Sequence, residues 1–214
     1  AFGPDLVVLG FAPENLKRNL NLVRPLYDPR SGLPFAKPRF ILREDGISLI
    51  NVPVLSPEEL AGTLRDFEAW DLARYEHFYD PADFRGVWWQ NSKLLATATT
   101  LRSGDRDPWL MKRIVFQERG EEQQLGWMII SAFAQEAAAA GAAFKIVHLP
   151  SHPEMELRQS LGRWTYQTFL DALKGEFDLI QPEDELMEAA QGNYSRIFSG
   201  HYNAEGNRII AAAV

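Results

Sequence analysis

The residue with the most local support for chemistry is His201. It lies in Phe198-Ser199-Gly200-His201-Tyr202-Asn203-Ala204-Glu205-Gly206-Asn207-Arg208, directly ahead of a terminal stretch with helical character. Asn203 is placed to cap that helix, which would fix the backbone just after the imidazole. A general base needs such a fixed position and a pKa near working pH, which histidine supplies. From local spacing alone the competing reading is an inert loop histidine. His148 and His152 are four residues apart, but Pro150 stands between them, so they share no helical face. Glu154 and Glu156 follow and are the carboxylates a metal site would need, but the preferred reading is a loop at a strand end, bordering a pocket. His77 reads as packing at a helix end. Lys17, Arg18, Asn19 and Arg24 either clamp an anionic group or are solvated charges. Trp88 and Trp89, with Tyr75, Phe78 and Tyr79, read as core before they read as a sugar-binding face. No phosphate loop or dinucleotide fingerprint is present, so no cofactor and no metal is implied.

The elements that must position these residues follow from patterning. Leu6-Val7-Val8-Leu9-Gly10-Phe11 is a continuous apolar run, which predicts a strand buried on both faces. The polar stretch after it, Glu14 to Asn19, falls at the strand's carboxyl end, where ligands bind in open α/β sheets. Residues 40–42 and 47–50 predict a hairpin turning at Asp45-Gly46. Ser56-Pro57-Glu58-Glu59 predicts a capped helix start, with the helix running toward Tyr79. Residues 120–140 predict a long helix with Leu125, Met128, Ile129, Ala132 and Phe133 on its apolar face and Gly141 as its stop. Residues 144–150 predict a second buried strand. Helices over 164–173 and 182–190 flank a short strand at 177–180, and the last helix covers 203–214. Strand and helix alternate after residue 120, which predicts a parallel sheet wrapped by helices.

Composition narrows the function classes. A chain of 214 residues with 46% apolar residues builds a substantial core and needs only one domain. The net charge of -7 and the lack of a basic cluster exclude duplex nucleic acid as the main partner. The absence of cysteine removes disulfides, thiolate metal sites and cysteine nucleophiles. No apolar stretch reaches the roughly 18–20 residues of a membrane span. The chain opens on Ala1-Phe2-Gly3-Pro4-Asp5 and runs at once into a strand, which is the expectation for a domain whose lead-in lies upstream. Neither composition nor cysteine usage assigns a compartment.

The block from Gly200 to Asn207, followed by Arg208-Ile209-Ile210-Ala211, resembles the last block of the SGNH/GDSL hydrolases, which carries the catalytic histidine and a turn into the final helix. Pro4 to Phe11 is similar to the strand that leads into the family's Gly-x-Asn-Asp block. Residues 146–150 resemble its next central strand, and Asp178-Leu179-Ile180 the short strand before the histidine loop. The resemblance implies an α/β fold of three layers, a mostly parallel sheet flanked by helices as in SGNH and flavodoxin-like proteins. It makes residues 1–214 one such domain, with an inserted hairpin and helix region at 24–110. It also implies an ester hydrolase or acyl-transfer enzyme in which His201 is general base to a serine that this chain does not carry. The substrate class is a small-molecule, carbohydrate or lipid ester. Asn15 is the oxyanion-hole candidate. Glu14, Arg18, Asn19, Ser199 and His148 are the pocket candidates.

Three features depart from that pattern. The family's Gly-Asp-Ser block belongs ahead of a segment like residues 4–11, and Gly104-Asp105 is followed by Arg106. Counting back from Arg18-Asn19 places Glu14 where the family has its asparagine, and a carboxylate is a poor donor to an oxyanion. The acid partner two or three residues before the histidine is replaced by Ser199 and Phe198, leaving His201 to a backbone carbonyl, to Ser199 or to a more distant acid. These features also fit an inactive relative that keeps the fold as a binding or assembly module.

Overall fold

A computed structural model describes residues 3–28, 35–81 and 113–214. The residues at 87–89, 94–96 and 103–108, including Trp88 and Trp89, lie outside them. In chain order the described elements are β1 (Leu6–Phe11), α1 (Glu14–Arg18), α2 (Arg24–Tyr27), β2 (Arg39–Arg43), β3 (Gly46–Ile50) and α3 (Pro57–Thr63). There follow α4 (Glu121–Ala139), β4 (Ala143–His148), α5 (His152–Leu161), α6 (Gln167–Glu176) and β5 (Asp178–Ile180). The chain closes with α7 (Glu183–Ala190), β6 (Phe198–Ser199), β7 (His201–Tyr202) and α8 (Ala204–Ala213). It is a mixed α/β protein that divides into two compact units. One joins Ala1–Leu16 to Ile114–Val214, and the other is Lys17–Arg113.

The first unit is built on a parallel sheet in the order β1-β4-β5. Leu6 pairs with Ala143 and Phe11 with His148, so β1 and β4 end level with each other. The expectation that β1 is buried on both faces is corrected. Its burial alternates, and Leu6 and Val8 remain 42% and 41% exposed. Among the described residues β1 pairs only with β4, so it stands at an edge of the sheet, and Leu6 and Val8 lie on its more exposed face. The core lies on the other side, where Phe11, Ile146, Met155, Phe169, Leu173, Leu186 and Ile197 pack together.

Helix α4 begins at Gly120 and stops before Gly141, as patterning predicts, with Gly141 in the left-handed region. Its inward face differs from the expected one. Gln123, Leu125, Gly126, Ile130 and Ala137 are buried, while Phe133 is 40% exposed. The reason is Gly126. A Cβ there would lie 2.2 Å from Leu16 Cδ2 and 3.5 Å from Phe169, so the helix approaches α1 and α6 along its glycine. Helix α5 was not expected. Ser151 and Glu154 form a reciprocal capping box, with proline in the first turn, and Gly162 ends the helix in the left-handed conformation.

The second unit contains the predicted hairpin. Phe40 pairs with Leu49 and Arg43 with Gly46, so the turn falls on Glu44-Asp45, one residue earlier than expected, and Gly46 opens β3 at φ 135°. Ser56 and Glu59 form the predicted capping box. The helix does not reach Tyr79. It ends at Thr63, and short 3-10 turns follow at Leu64–Ala69 and Ala73–Tyr75, with Asp66 outside the helical region. Tertiary demands override propensity here. The Phe67 ring packs 5.6 Å from Trp70 and 4.3 Å from Tyr79. Buried Glu76 accepts from the backbone N–H groups of Leu22 (2.5 Å), Val23 (2.9 Å) and Phe78 (2.9 Å) and from the Asn21 amide (3.1 Å). A continuous helix could not deliver Phe78 N–H to that carboxylate. Burial raises the Glu76 pKa, and these donors only partly oppose it.

Candidate functional site at the carboxyl end of the sheet

Both β1 and β4 deliver their last residues to one end of the sheet, and the strongest site candidates leave from there. After Phe11 the chain enters α1, with Glu14 half-buried and Asn15 exposed in its first turn. After His148 it runs through Leu149-Pro150 into α5. Arg18 and Asn19 belong to the second unit.

His148 is fully buried. Both ring nitrogens are engaged, Nδ1 with Glu183 Oε1 at 2.9 Å and Nε2 with the Tyr166 hydroxyl at 3.1 Å. A carboxylate accepts only, so Nδ1 carries a proton toward Glu183. Burial pushes the Glu183 pKa up, but the hydrogen bond and charge of His148 outweigh it and hold the carboxyl below its ordinary value. Burial, with the nearby Glu154 and Glu183 carboxylates, raises Tyr166 well above a normal phenol. Trp164, Phe11 and Tyr166 surround the imidazole at 5.1, 6.2 and 5.7 Å. His148 is thus closed to solvent and braces the sheet end against α6 and α7.

The hairpin β6–β7 carries His201. It reverses at Gly200, whose φ of 76° favours glycine, and pairs Phe198 with Tyr202 and Ser199 with His201. Successive strand residues face opposite ways, so Phe198 and Tyr202 share one face and Ser199 and His201 the other. The first face is anchored. The two rings lie 4.5 Å apart, and Tyr202 donates its hydroxyl to Pro150 O at 2.5 Å. The second face is exposed. Among the described residues the His201 ring has no hydrogen-bond or ion-pair partner. Behind it Asn203 caps α8, accepting from Glu205 N at 3.0 Å and Gly206 N at 3.1 Å, while its amide donates to Arg196 O at 2.9 Å. Gly206 is required there, since a Cβ would stand 2.6 Å from Ile197 O and 2.8 Å from Tyr202 Cδ1.

A second, half-buried histidine sits beside the hairpin. The His152 ring stacks on Phe198 at 5.6 Å and lies 5.2 Å from Tyr194. Its Nε2 meets Glu156 Oε1 at 3.1 Å, which leaves Nδ1 as acceptor in the neutral ring. Sequence reasoning treated 150–156 as a loop and missed this pair. The Ser151-x-x-Glu154 box was the available signal, since a helix starting there puts His152 and Glu156 one turn apart. Of the predicted site residues, the structure joins Ser199 to His201 across the hairpin and seats His148 below the Pro150 anchor. Among the described residues no group of three or more His, Asp or Glu side chains is arranged to hold a metal ion, and no helix is long and apolar enough to cross a membrane.

Comparisons with protein-family models, with curated proteins and with solved structures found no match to this chain.

Chemically, the site offers one free imidazole on a braced hairpin. The oriented imidazole of His152 lies against the opposite face of that hairpin. The carboxyl end of a parallel sheet lies beneath both.

Proposed function

We propose that this chain is the larger part of an SGNH-type acyl hydrolase or acyltransferase with a three-layer α/β fold, in which His201 is the general base. The observation that carries the reading is the mounting of His201. A solvent-facing imidazole stands on a hairpin that is hydrogen-bonded to Pro150, just past the carboxyl end of the central strand, and locked to a capped terminal helix. The nucleophile in this reading is a serine outside residues 1–214. Its hydroxyl attacks an ester carbonyl, His201 takes the proton, and the same proton goes to the leaving alkoxide. Asn15 and backbone N–H groups would face the oxyanion. A carbohydrate or lipid ester is the proposed substrate class.

The test is fluorophosphonate labelling and p-nitrophenyl acetate hydrolysis by the full encoded protein and its His201→Ala variant. A general base contributes about 10²–10⁴ in rate, so the variant should lose at least about a hundredfold. Unchanged hydrolysis in His201→Ala would sink the proposal. The inactive-module reading is favoured by one observation, the absence of an acid partner on the His201 ring among the described residues. It expects neither labelling nor hydrolysis.

A further inference from the structure

Between the first turns of α4 and α6 lies an open groove of about 600 Å³, within the first unit. Small-molecule sites span about 300–1,000 Å³. The groove stands at the carboxyl end of the sheet. Helices α4 and α6 lead directly into β4 and β5, so each runs opposite to its strand and starts above that strand's end. Phe169, on the groove wall, lies 5.7 Å from Phe11, the last residue of β1.

The chemistry of the lining is specific. Trp127 is half-buried and gives the groove an aromatic surface, with buried Phe169 behind it. The rim carries Glu118, Arg119, Gln124 and Thr168, all exposed. Gln124 donates its amide to Arg119 O at 3.0 Å, which leaves its side-chain oxygen as an acceptor. Among the described residues the side chains of Glu118, Arg119 and Thr168 have no hydrogen-bond or ion-pair partner. Arg119 is held at φ 57°, in the left-handed region that non-glycine residues seldom enter.

Charge decides among ligands. An anion would meet Glu118. A cation would meet Arg119. A hydrocarbon chain would strip water from both charges with no compensating bond. A polyol does neither, because each hydroxyl both donates and accepts, and it can serve the carboxylate and the guanidinium together. Its C–H face can cover an indole, whose body is apolar. We propose that this groove binds a neutral saccharide ring, stacked on Trp127 and hydrogen-bonded by Glu118, Arg119, Gln124 and Thr168. The assignment does not depend on the acyl-transfer reading, since binding needs no turnover.

The experiment is calorimetric titration of the full encoded protein with cellobiose, maltose and N,N′-diacetylchitobiose, and separately with decanoate. Trp127→Ala and Arg119→Gly are compared with the parent. Glycine adopts the Arg119 backbone conformation without strain, so that variant keeps the fold even where Trp127→Ala does not. At least one disaccharide should bind, and each folded variant should weaken it about tenfold or more, as loss of a charged hydrogen bond or a stacking face implies. No binding of any disaccharide at about 10 mM, above the roughly millimolar range of weak sites, would overturn the proposal. So would binding that Arg119→Gly leaves unchanged, or decanoate binding that Arg119→Gly weakens.

Discussion

The buried pair of His148 and Glu183 should behave as one energetic unit. The two side chains are 0% and 3% exposed and meet at 2.9 Å. Changing His148 to Leu leaves Glu183 with the Gln181 amide, at 3.0 Å, and a backbone N–H in place of the imidazole, and leaves the buried Tyr166 hydroxyl without its imidazole. Removing one member of a buried pair costs about 3–5 kcal/mol. Glu183→Leu strands the Nδ1 proton of His148 and should fall in the same range. Simple addition would give about 6–10 kcal/mol. The double variant replaces both groups by apolar ones, so it should be milder than that sum by about 2–3 kcal/mol, the upper end of couplings between contacting residues. Urea unfolding read by tryptophan emission is the assay, with Trp164 a local reporter 5.1 Å from His148. Additivity within about 0.5 kcal/mol would refute the argument, because that is how independent sites behave. The pair also predicts an acid limb. Glu183 has a lowered pKa in the folded state, so its contribution is present above the unfolded carboxyl value and is lost as pH falls through the folded one. Parent stability should therefore decline below about pH 4, near the ordinary glutamate pKa, more steeply than that of His148→Leu.

Three further outcomes follow from the geometry. Asn203→Ala removes two acceptor bonds at the start of α8 and one donor bond to Arg196 O, and should cost about 1–2 kcal/mol in chemical denaturation. Gly206→Ala drives a methyl against Ile197 O and Tyr202, and should lower stability by about 1–3 kcal/mol, whereas Gly126→Ala meets the end of a flexible Leu16 side chain and should cost less in the same assay. Lys37 is lowered to about 8, by burial first and then by Arg18. Its unfolded form binds a proton that the folded form releases, so the parent should gain stability relative to Lys37→Met from about pH 8 to its unfolded pKa near 10.4. A flat difference over that interval would contradict the assignment.

Much of the first unit was legible because its signals are local. An apolar run, a glycine stop and an asparagine cap specify β1, α4 and α8 without knowledge of what they touch. The hairpin at 39–50 was legible for the same reason. What escaped was set by partners distant in sequence. The helix expected to run to Tyr79 is broken because Glu76 satisfies backbone groups more than fifty residues away, at Leu22 and Val23. Phe133 was expected inside α4, but close approach at Gly126 turned the helix so that another face is buried. Helix α5 was readable from its capping box and was obscured by Pro150 and Pro153, the second of which stands in the first turn, where proline is tolerated. At the site, the position of His201 ahead of α8 was readable. The engagement of both His148 nitrogens was not, since Tyr166 and Glu183 lie 18 and 35 residues further along the chain.

The two-faced hairpin has a consequence for how this protein can change. Among the described residues its side-chain anchoring passes through Phe198, Tyr202 and the turn into α8, whereas the side chains of Ser199 and His201 are exposed on the other face. Substitution at those two positions should therefore leave the folded chain intact, so the character of this tip can change by single steps without a detour through misfolded forms. His148 has no such freedom. Of two histidines associated with the same sheet end, one belongs to the architecture and the other stands on a replaceable tip.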